Sequence, residues 1–422
     1  MSLIMRRRLH FAAASAAAIL GALASGRGAA ADPAPPFRDL LAQAQSTAPR
    51  LAEARAEIAR AEGLARQARV FPNPTLGVEV ENFSGSGPFK GMNLAETTAS
   101  IEQTVELGGK RSARVAVGRA EVQAARARAV RIQAEFGFDL AAAYAEAEAA
   151  ERRLQLTTES AGFAQEDARI ATALVDAGRE ADLRRVQALA ALQAARAGVE
   201  EARAARATAF ANLTALVGSP APITSIPISL LARADQAFPA AAPNPMASPA
   251  YLAAEAEREA AARKVRVERI RAVPDVTVSA GVRRFQGDDA TAIVAGVSVP
   301  FPIFDRNRGN IGAAQAELAS AEARLNAARL DAEAAASSGS ARVSAAESRL
   351  LAAREGERTA EEAYRLTRLG YEGGKLELVE LLNAQRALAE ARAQTINAAL
   401  ERLGAQAGLA RLAGSAPFGE QP

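Results

Sequence analysis

The clearest pattern along the chain is a set of four short segments in which apolar and polar residues alternate. In the first, Leu76, Val78 and Val80 fall on one face, and the residues between them fall on the other. Alternation with a period of two predicts β-strands that have one apolar and one polar face. The predicted strands cover about 75–84, 97–107, 275–285 and 291–301.

Glycine-rich stretches join these strands in pairs, with SGSGPFKGMN after the first strand and FQGDDA after the third, as in hairpins. The chain around the hairpins is rich in alanine and is predicted to be helical over long stretches. A helix of about 60 residues spans roughly 90 Å, so such helices must pack together as coiled coils. The long helices are predicted at 112–176, 180–217, 308–369 and 376–413.

The order of these elements occurs twice. When the two halves are aligned, Pro49 matches Pro249 and Pro74 matches Pro274. Further along, VELGGKRSARVAVGRAEV matches FPIFDRNRGNIGAAQAEL, and AGREADL matches GGKLELV. Three matches in the same order indicate an internal duplication. We therefore divide the chain into a signal peptide (1–31), a first repeat (32–218), a Pro-rich linker (219–247), a second repeat (248–414) and a tail (415–422).

The first 31 residues have the pattern of a secretory signal: three consecutive arginines, an apolar run and an A-x-A site before Asp32. An uncleaved anchor helix is the alternative, but the apolar run is short for a bilayer span. The full sequence has 51 basic and 48 acidic residues. Removing this segment takes away four arginines and no acid, which leaves 47 basic and 48 acidic residues. A nearly neutral mature chain has no electrostatic support for nucleic-acid binding.

The predicted strands have the length that a tilted strand needs to cross a bilayer. Their polar face would suit a water-filled lumen, whereas a small soluble sheet packed on a helix is the alternative. Four strands cannot close a barrel, and an open edge in lipid leaves backbone groups unpaired, so several chains must contribute strands. Two chains would supply eight strands and a filled interior, whereas three would supply twelve and leave room for a pore. The predicted lumen residues are Glu79, Glu81, Glu102, Glu106 and Arg283.

Several of these motifs together resemble one known family, the TolC-type outer-membrane factors, which are exit ducts of tripartite efflux pumps. The resemblance rests on PNPTLGVEVENFSGSG, on ETTASIEQTVELGGKRSAR and on the duplicated helix–strand–strand–helix plan. VEVENFSGSG together with ELGGKR is most similar to the cobalt–zinc–cadmium branch, which works with metal-exporting resistance–nodulation–division pumps.

The resemblance implies a mainly helical fold with a transmembrane β part. It implies a homotrimer whose twelve-stranded barrel sits on a long helical barrel reaching into the periplasm from the outer membrane of a Gram-negative bacterium. The linker and the tail would form a belt around the helices. The implied partners are a periplasmic adaptor, an inner-membrane resistance–nodulation–division pump and outer-membrane lipid, with no nucleic acid.

The stretch GYEGGKLELVELLNAQ resembles the inner tip of that family, where acidic side chains narrow the closed duct. Aligned residue by residue, the two acidic positions fall on Glu380 and Asn383, and the gate-linking tyrosine falls on Tyr371. The family's arginine position falls on Leu376, so the usual network is incomplete. A solvated helix face is the alternative for Glu380. The predicted adaptor-docking turns, for which plain turn chemistry is the alternative, contain Gly178, Arg179, Gly373, Gly374 and Lys375.

Four basic residues recur where strands are predicted to give way to helices: Lys110, Arg111, Arg306 and Arg308. Positive charge at the start of a helix opposes the helix dipole, so it calls for compensation. Phosphates of the inner leaflet, acids of a neighbouring chain and plain solvation are the alternatives.

No catalytic set of residues is present, so we expect no enzyme activity and no cofactor. The chain has no Cys, its single His lies in the predicted signal peptide, and Met92 and Met246 stand alone. Thiol chemistry and soft or imidazole-based metal sites are thereby excluded, leaving transient contacts with carboxylates. We therefore predict a passive exit duct for divalent heavy-metal cations. The alternatives are an outer-membrane factor for drugs, organic solutes or protein secretion, and a periplasmic coiled-coil adaptor or scaffold.

Overall fold

The computed structural model describes residues 32–235 and 243–418, so the predicted signal peptide at 1–31 lies outside the described residues. Two helices dominate the described chain, with 67 and 65 residues. At 1.5 Å per residue each is roughly 100 Å long. None of the helices in 32–235 and 243–418 combines the length and apolar character needed to cross a membrane. The helices are α1 (Phe37–Thr47), α2 (Pro49–Gln67), α3 (Lys110–Asp176), α4 (Asp182–Val217), α5 (Pro249–Arg271), α6 (Arg308–Glu372) and α7 (Leu378–Ala413).

The strands form one antiparallel sheet in chain order and one short parallel pair. The first strand of the sheet ends at Glu81 rather than 84, because Asn82 takes a left-handed conformation with φ 56°. The last ends at Ser298 rather than 301, where Pro300 and Pro302 cannot donate ladder hydrogen bonds. The strands are β1 (Asp32–Pro33), β2 (Thr75–Glu81), β3 (Glu96–Val105), β4 (Ile223–Ser225), β5 (Val276–Phe285) and β6 (Ala290–Ser298), and β1 pairs with β4.

The four-stranded sheet joins the two repeats through its central pair, β3 and β5, whose register runs from Glu96 opposite Phe285 to Val105 opposite Val276. The outer strands β2 and β6 have a partner on one side only within the described chain. The sheet therefore has two open edges.

The apolar face of the sheet is uncovered. Leu76 is 73% exposed, Val297 is 72% exposed and Ile293 is 86% exposed. No helix within 32–235 and 243–418 covers this face, which contradicts the alternative of a small sheet packed on a helix. An apolar surface of this kind marks a site of contact with a membrane or with another protein.

The shorter helices stack end to end in two pairs. At the end of α4, Gly218 has φ 68° and lies against Pro49 at the start of α2, and Thr47 Oγ1 at the end of α1 donates to Val217 O at 2.9 Å. In the second repeat, Gly414 has φ 69° and lies against Pro249 at the start of α5. The stacks α4–α2 and α7–α5 both pack along α3, and α6 packs along α7–α5.

The main core lies where the linker crosses the helices. Tyr144 of α3 is fully buried there, and its hydroxyl is 3.0 Å from Ile228 O. One turn later, Glu148 accepts hydrogen bonds from the backbone N–H groups of Leu230 (2.7 Å) and Leu231 (3.0 Å), at the start of a short 3₁₀ helix. Most of the remaining contacts are made by alanine, which allows helices to approach closely. The large buried side chains of this core include Phe37, Leu40, Phe136, Leu140, Phe210, Leu213, Leu350 and Leu403.

Candidate functional site

The polar face of the sheet carries a charged network near the hairpin loops. Arg283 of β5 donates to Thr98 Oγ1 at 2.9 Å and to Glu96 Oε2 at 3.0 Å, both on β3. It also forms an ion pair with Glu81 of β2 at 3.0 Å. A single guanidinium thus links three strands, which five donors in a planar fork allow. Two predicted lumen residues, Arg283 and Glu81, are in direct contact.

The other predicted lumen residues divide between two places. Glu79 and Glu102 lie on the same polar face, both are exposed, and neither forms an ion pair within the described residues. Glu106 follows the end of β3 and forms an ion pair with Arg114 of α3. The strand prediction ran to 107, two residues beyond the end of β3 at Val105, so Glu106 lies at the junction between strand and helix, and its place in a lumen stays a prediction.

The four basic residues at the junctions differ in their surroundings. Lys110 forms an ion pair with Asp275 at 2.8 Å, so an acid of the same chain compensates it. Arg111 donates to Arg69 O at 2.7 Å, and its guanidinium carbon lies 4.1 Å from the centre of the Phe71 ring.

Arg306 and Arg308 lack such contacts. Both are exposed, and neither has an ion pair or a hydrogen bond to another side chain in the described part of the chain. The junction cations of the first repeat therefore have partners elsewhere in the chain, including Asp275 of the second repeat, whereas Arg306 and Arg308 of the second repeat are exposed to the surroundings.

Both helix-to-helix turns at the far end of the molecule close in the same way. Gly178 and Gly374 have φ of 69° and 66°, a conformation that glycine adopts without the penalty of a Cβ atom. The residue after each glycine forms a backbone hydrogen bond with the last turns of the preceding helix. Arg179 N donates to Leu174 O at 2.9 Å, and Lys375 N donates to Gly370 O at 2.8 Å. Turn chemistry thus explains the glycines, and the side chains of Arg179 and Lys375 are exposed.

The predicted aperture residues surround the second of these turns. Tyr371 lies in the last turn of α6 and is half-buried, whereas Glu380 and Asn383 lie one turn apart on α7 and are exposed. Leu376 packs against Gly370, where an added Cβ would lie 2.6 Å from Leu376 Cδ1. An apolar contact therefore closes the α6–α7 turn at the position where the family has an arginine.

Two groups of charged residues near these helices were not found from the sequence. Arg392 of α7 lies 3.2 Å from Glu361 and 3.8 Å from Glu357 of α6, and 3.4 Å from Glu159 of α3. The largely buried Asp167 of α3 forms an ion pair with Arg184 of α4 at 2.9 Å. No signal distinguishes these residues in a sequence with so many Arg and Glu residues. Within 32–235 and 243–418, no group of three or more His, Cys, Asp and Glu could hold a metal ion.

The family profile described as outer membrane efflux protein matches residues 40–219 and 247–415 of the chain, so it covers both repeats. The chain is 44% identical over 288 residues to the nickel and cobalt resistance protein CnrC of Cupriavidus metallidurans, covering 68% of each chain. It is 31% identical over 346 residues to the cobalt-zinc-cadmium resistance protein CzcC of the same organism, covering 81% of each chain.

Solved structures share the fold. A membrane protein from Pseudomonas aeruginosa aligns with a TM-score of 0.74 and 21% identity over 90% of both chains. The outer membrane protein VceC from Vibrio cholerae aligns with a TM-score of 0.70 and 22% identity, over 90% of this chain and 96% of that one. The duplicated helices and sheet, and a family match that spans both repeats, lead to one conclusion: the chain belongs to the outer membrane efflux protein family.

Proposed function

We propose that this protein is the outer-membrane exit duct of a tripartite efflux system for divalent heavy-metal cations. The observation that carries the proposal is the sheet. One of its faces is apolar and exposed, the other is acidic, and both of its edges are open. The resistance proteins named for nickel, cobalt, zinc and cadmium, with which the chain shares 31% to 44% identity, support the choice of cargo.

The open edges favour a ring of chains. In lipid an unpaired edge costs several kcal/mol for each unsatisfied backbone group, so β6 of one chain should pair with β2 of the next. Three chains would close a barrel of twelve strands, with Leu76, Ile293 and Val297 facing lipid. The helices would continue the barrel into the periplasm, with the linker around their middle.

The polar face would then line the barrel. Each chain contributes four carboxylates to it, and a single arginine that two of them already contact. The excess of negative charge in an enclosed space raises the local concentration of cations. Divalent cations could therefore pass this surface without a binding site that retains them. The carboxylates are those of Glu79, Glu81, Glu96 and Glu102.

The opposite end would meet the pump. The two turns at Gly178 and Gly374 present Arg179 and Lys375, which we assign to the docking of a periplasmic adaptor. Glu380, Asn383 and Tyr371 would surround the entrance, where the threefold axis repeats each of them three times. The duct itself needs no cofactor and no chemical step.

Gene deletion tests the cargo. We expect the deletion to sensitise cells to nickel, cobalt, zinc or cadmium, and a plasmid copy to restore tolerance. The control is a Glu355→Gln copy, in which the change lies on an exposed part of α6 and should restore tolerance equally. Sensitivity to organic drugs with unchanged metal tolerance would assign the protein to drug efflux. A protein that is absent from the outer-membrane fraction would instead be a periplasmic scaffold.

A further inference from the structure

The loop between β6 and α6 carries the two most exposed large apolar side chains among the described residues, together with a third exposed one. Phe304 is 98% exposed, Phe301 is 87% exposed and Ile303 is 59% exposed. Pro302 lies within a tight turn in which Ile303 N donates to Phe301 O at 2.9 Å. The backbone of this loop is therefore turned in a way that leaves three apolar side chains within four residues, Phe301, Ile303 and Phe304, without a covering element among the described residues.

At the equivalent junction of the first repeat the apolar side chains are less exposed, with Val105 at 44% and Leu107 at 40%. In the alignment of the repeats, Phe304 corresponds to Gly108, which lies against Val273 and has φ 69°. The chain thus passes from strand to helix in the first repeat with a glycine at this position. The passage itself does not require the phenylalanine, so the side chain of Phe304 calls for another explanation.

The position of the loop indicates what surrounds it. Val299 and Phe301 continue the alternation of the apolar sheet face beyond the end of β6. At the same end of the sheet Phe71 is 67% exposed, and the unpaired Arg306 and Arg308 follow the loop directly. Aromatic side chains between an apolar surface and cations are typical of the boundary between a membrane and water.

We propose that the loop Phe301–Phe304 inserts into the periplasmic leaflet of the outer membrane, and that Arg306 and Arg308 bind the phosphate groups of anionic phospholipids there. This inference rests on the proposed insertion of the sheet into the membrane. Lipid suits the loop better than a neighbouring chain does. The loop continues the outward apolar face, whereas neighbouring chains would meet along the strand edges. The two exposed cations complement anionic headgroups.

The chain contains no tryptophan, so a single introduced tryptophan reports its own surroundings. Phe304→Trp is placed in the full-length protein and reconstituted into vesicles of phosphatidylethanolamine and phosphatidylglycerol with brominated acyl chains. Bromine quenches tryptophan emission only at close range. Ile293→Trp reports the sheet face, and Phe163→Trp on α3, 42% exposed, reports the distant helices. Phe163 is 53 residues from the start of α3 at Lys110, hence roughly 80 Å away from the sheet.

We expect Phe304→Trp and Ile293→Trp to lose emission in brominated vesicles and Phe163→Trp to keep it. If only Ile293→Trp is quenched, the sheet is inserted and the proposal for the loop is overturned. In that case red-shifted emission from Phe304→Trp would indicate water, and blue-shifted emission would indicate a neighbouring chain. If Ile293→Trp is also unquenched, the proposed membrane insertion fails together with the loop.

A second measurement tests the arginines. Phe304→Trp is reconstituted with a small fraction of brominated lipid that is either phosphatidylglycerol or phosphatidylcholine. The quantity compared is the ratio of quenching by brominated phosphatidylglycerol to quenching by brominated phosphatidylcholine. If the arginines bind anionic lipid, this ratio should be above one. Arg306→Gln/Arg308→Gln should reduce the ratio to one. Arg358→Gln/Arg365→Gln removes the same charge from a distant part of α6 and should not. A ratio of one in the parent, or an unchanged ratio in Arg306→Gln/Arg308→Gln, would overturn the assignment of the arginines.

Discussion

Tyr144 and Glu148 lie one helical turn apart on α3, and both direct polar atoms at the linker. Each forms hydrogen bonds with backbone groups of the linker that are buried against the helices. A buried backbone group without a hydrogen bond costs about 1–3 kcal/mol, so these two side chains determine where the linker can lie. They hold it by specific contacts at the middle of the helices.

The hydroxyl of Tyr144 gives the linker contact a dependence on pH. Burial, reinforced by the charge of Glu148, raises the pKa of Tyr144 to about 12 from an ordinary value of 10.0. An acid whose pKa is raised in the folded state stabilises the fold below its unfolded pKa, and this contribution is lost as pH rises through the folded value. Between pH 10 and 12 the free energy of unfolding should fall by up to about 1.4 kcal/mol per pH unit.

Tyr144→Phe isolates this effect. At pH 8 we expect the variant to be less stable than the parent by about 1 kcal/mol, because a hydrogen bond to Ile228 O is lost. Above pH 10 the difference should shrink, since only the parent loses the contribution of the hydroxyl. Urea denaturation in detergent, followed by circular dichroism, measures both curves. Parallel curves from pH 8 to 12 would contradict the assignment.

Glu380 allows a test of the entrance. In a trimer a Glu380 side chain that faces the axis appears three times, and the three carboxylates attract cations. We expect Glu380→Gln to lower cation selectivity in planar-bilayer recordings and to leave assembly intact. Glu180→Gln removes the same charge from the other helix turn and should have little effect. Unchanged selectivity in Glu380→Gln would mean that this side chain lies on a solvated outer face.

At the scale of elements, the stacked helices depend on one close contact each. A Cβ atom on Gly218 would lie 2.8 Å from Thr47 O, at a φ of 68° that side chains disfavour. We expect Gly218→Ala to lower the free energy of unfolding by about 2 kcal/mol or more, from backbone strain and the clash together. Gly198→Ala on the same helix meets nothing within 4 Å and should stabilise by about 0.5–1 kcal/mol. Equal effects of the two changes in thermal or urea denaturation would contradict the role of the contact.

Cations also link the long helices to one another. Lys264 of α5 lies 3.2 Å from Glu121 of α3 and 3.1 Å from Glu317 of α6. Burial alone would lower the pKa of Lys264, but its hydrogen bonds to the two carboxylates raise it. Arg392 makes a similar link between α3, α6 and α7 nearer the α6–α7 turn. The two links sit at different heights of the helices.

The link at Arg392 joins the α6–α7 pair to α3, so its loss should let the pair move. We expect Arg392→Gln to raise the conductance in planar bilayers, because Glu159 and Glu361 lose their common partner. Arg358→Gln is the matched control, since Arg358 pairs only within α6, with Glu355. A conductance equal to that of the parent would show that other contacts keep the pair in place.

The sequence predicted the kinds of elements well because the signals are local. Alternation identifies strands, and alanine-rich periodic runs identify helices. The strand ends were missed where a single residue changes the backbone, as Asn82 does with its positive φ. Pairs such as Lys110 with Asp275, or Glu148 with Leu230, join residues far apart in sequence. No local pattern encodes such pairs, because they arise only when the repeats are assembled.

At the scale of the molecule, the two strand edges that are open within the described residues call for pairing with other chains. Since β2 and β6 each lack one partner, the purified protein in detergent should be a trimer, with twelve strands and no remaining edge. Light scattering with correction for bound detergent measures the mass of the protein part. A folded and stable monomer would contradict the closure of the barrel between chains.

The duplication described above bears on how such a ring could have arisen. Each repeat supplies two strands, one long helix and one stack of shorter helices, and the repeats meet through β3 and β5 in the antiparallel way proposed between chains. A chain of half the length could therefore close the same ring as a hexamer. Fusion of two such genes would then have allowed neighbouring units to diverge, so that one junction kept a glycine while the other gained an aromatic side chain.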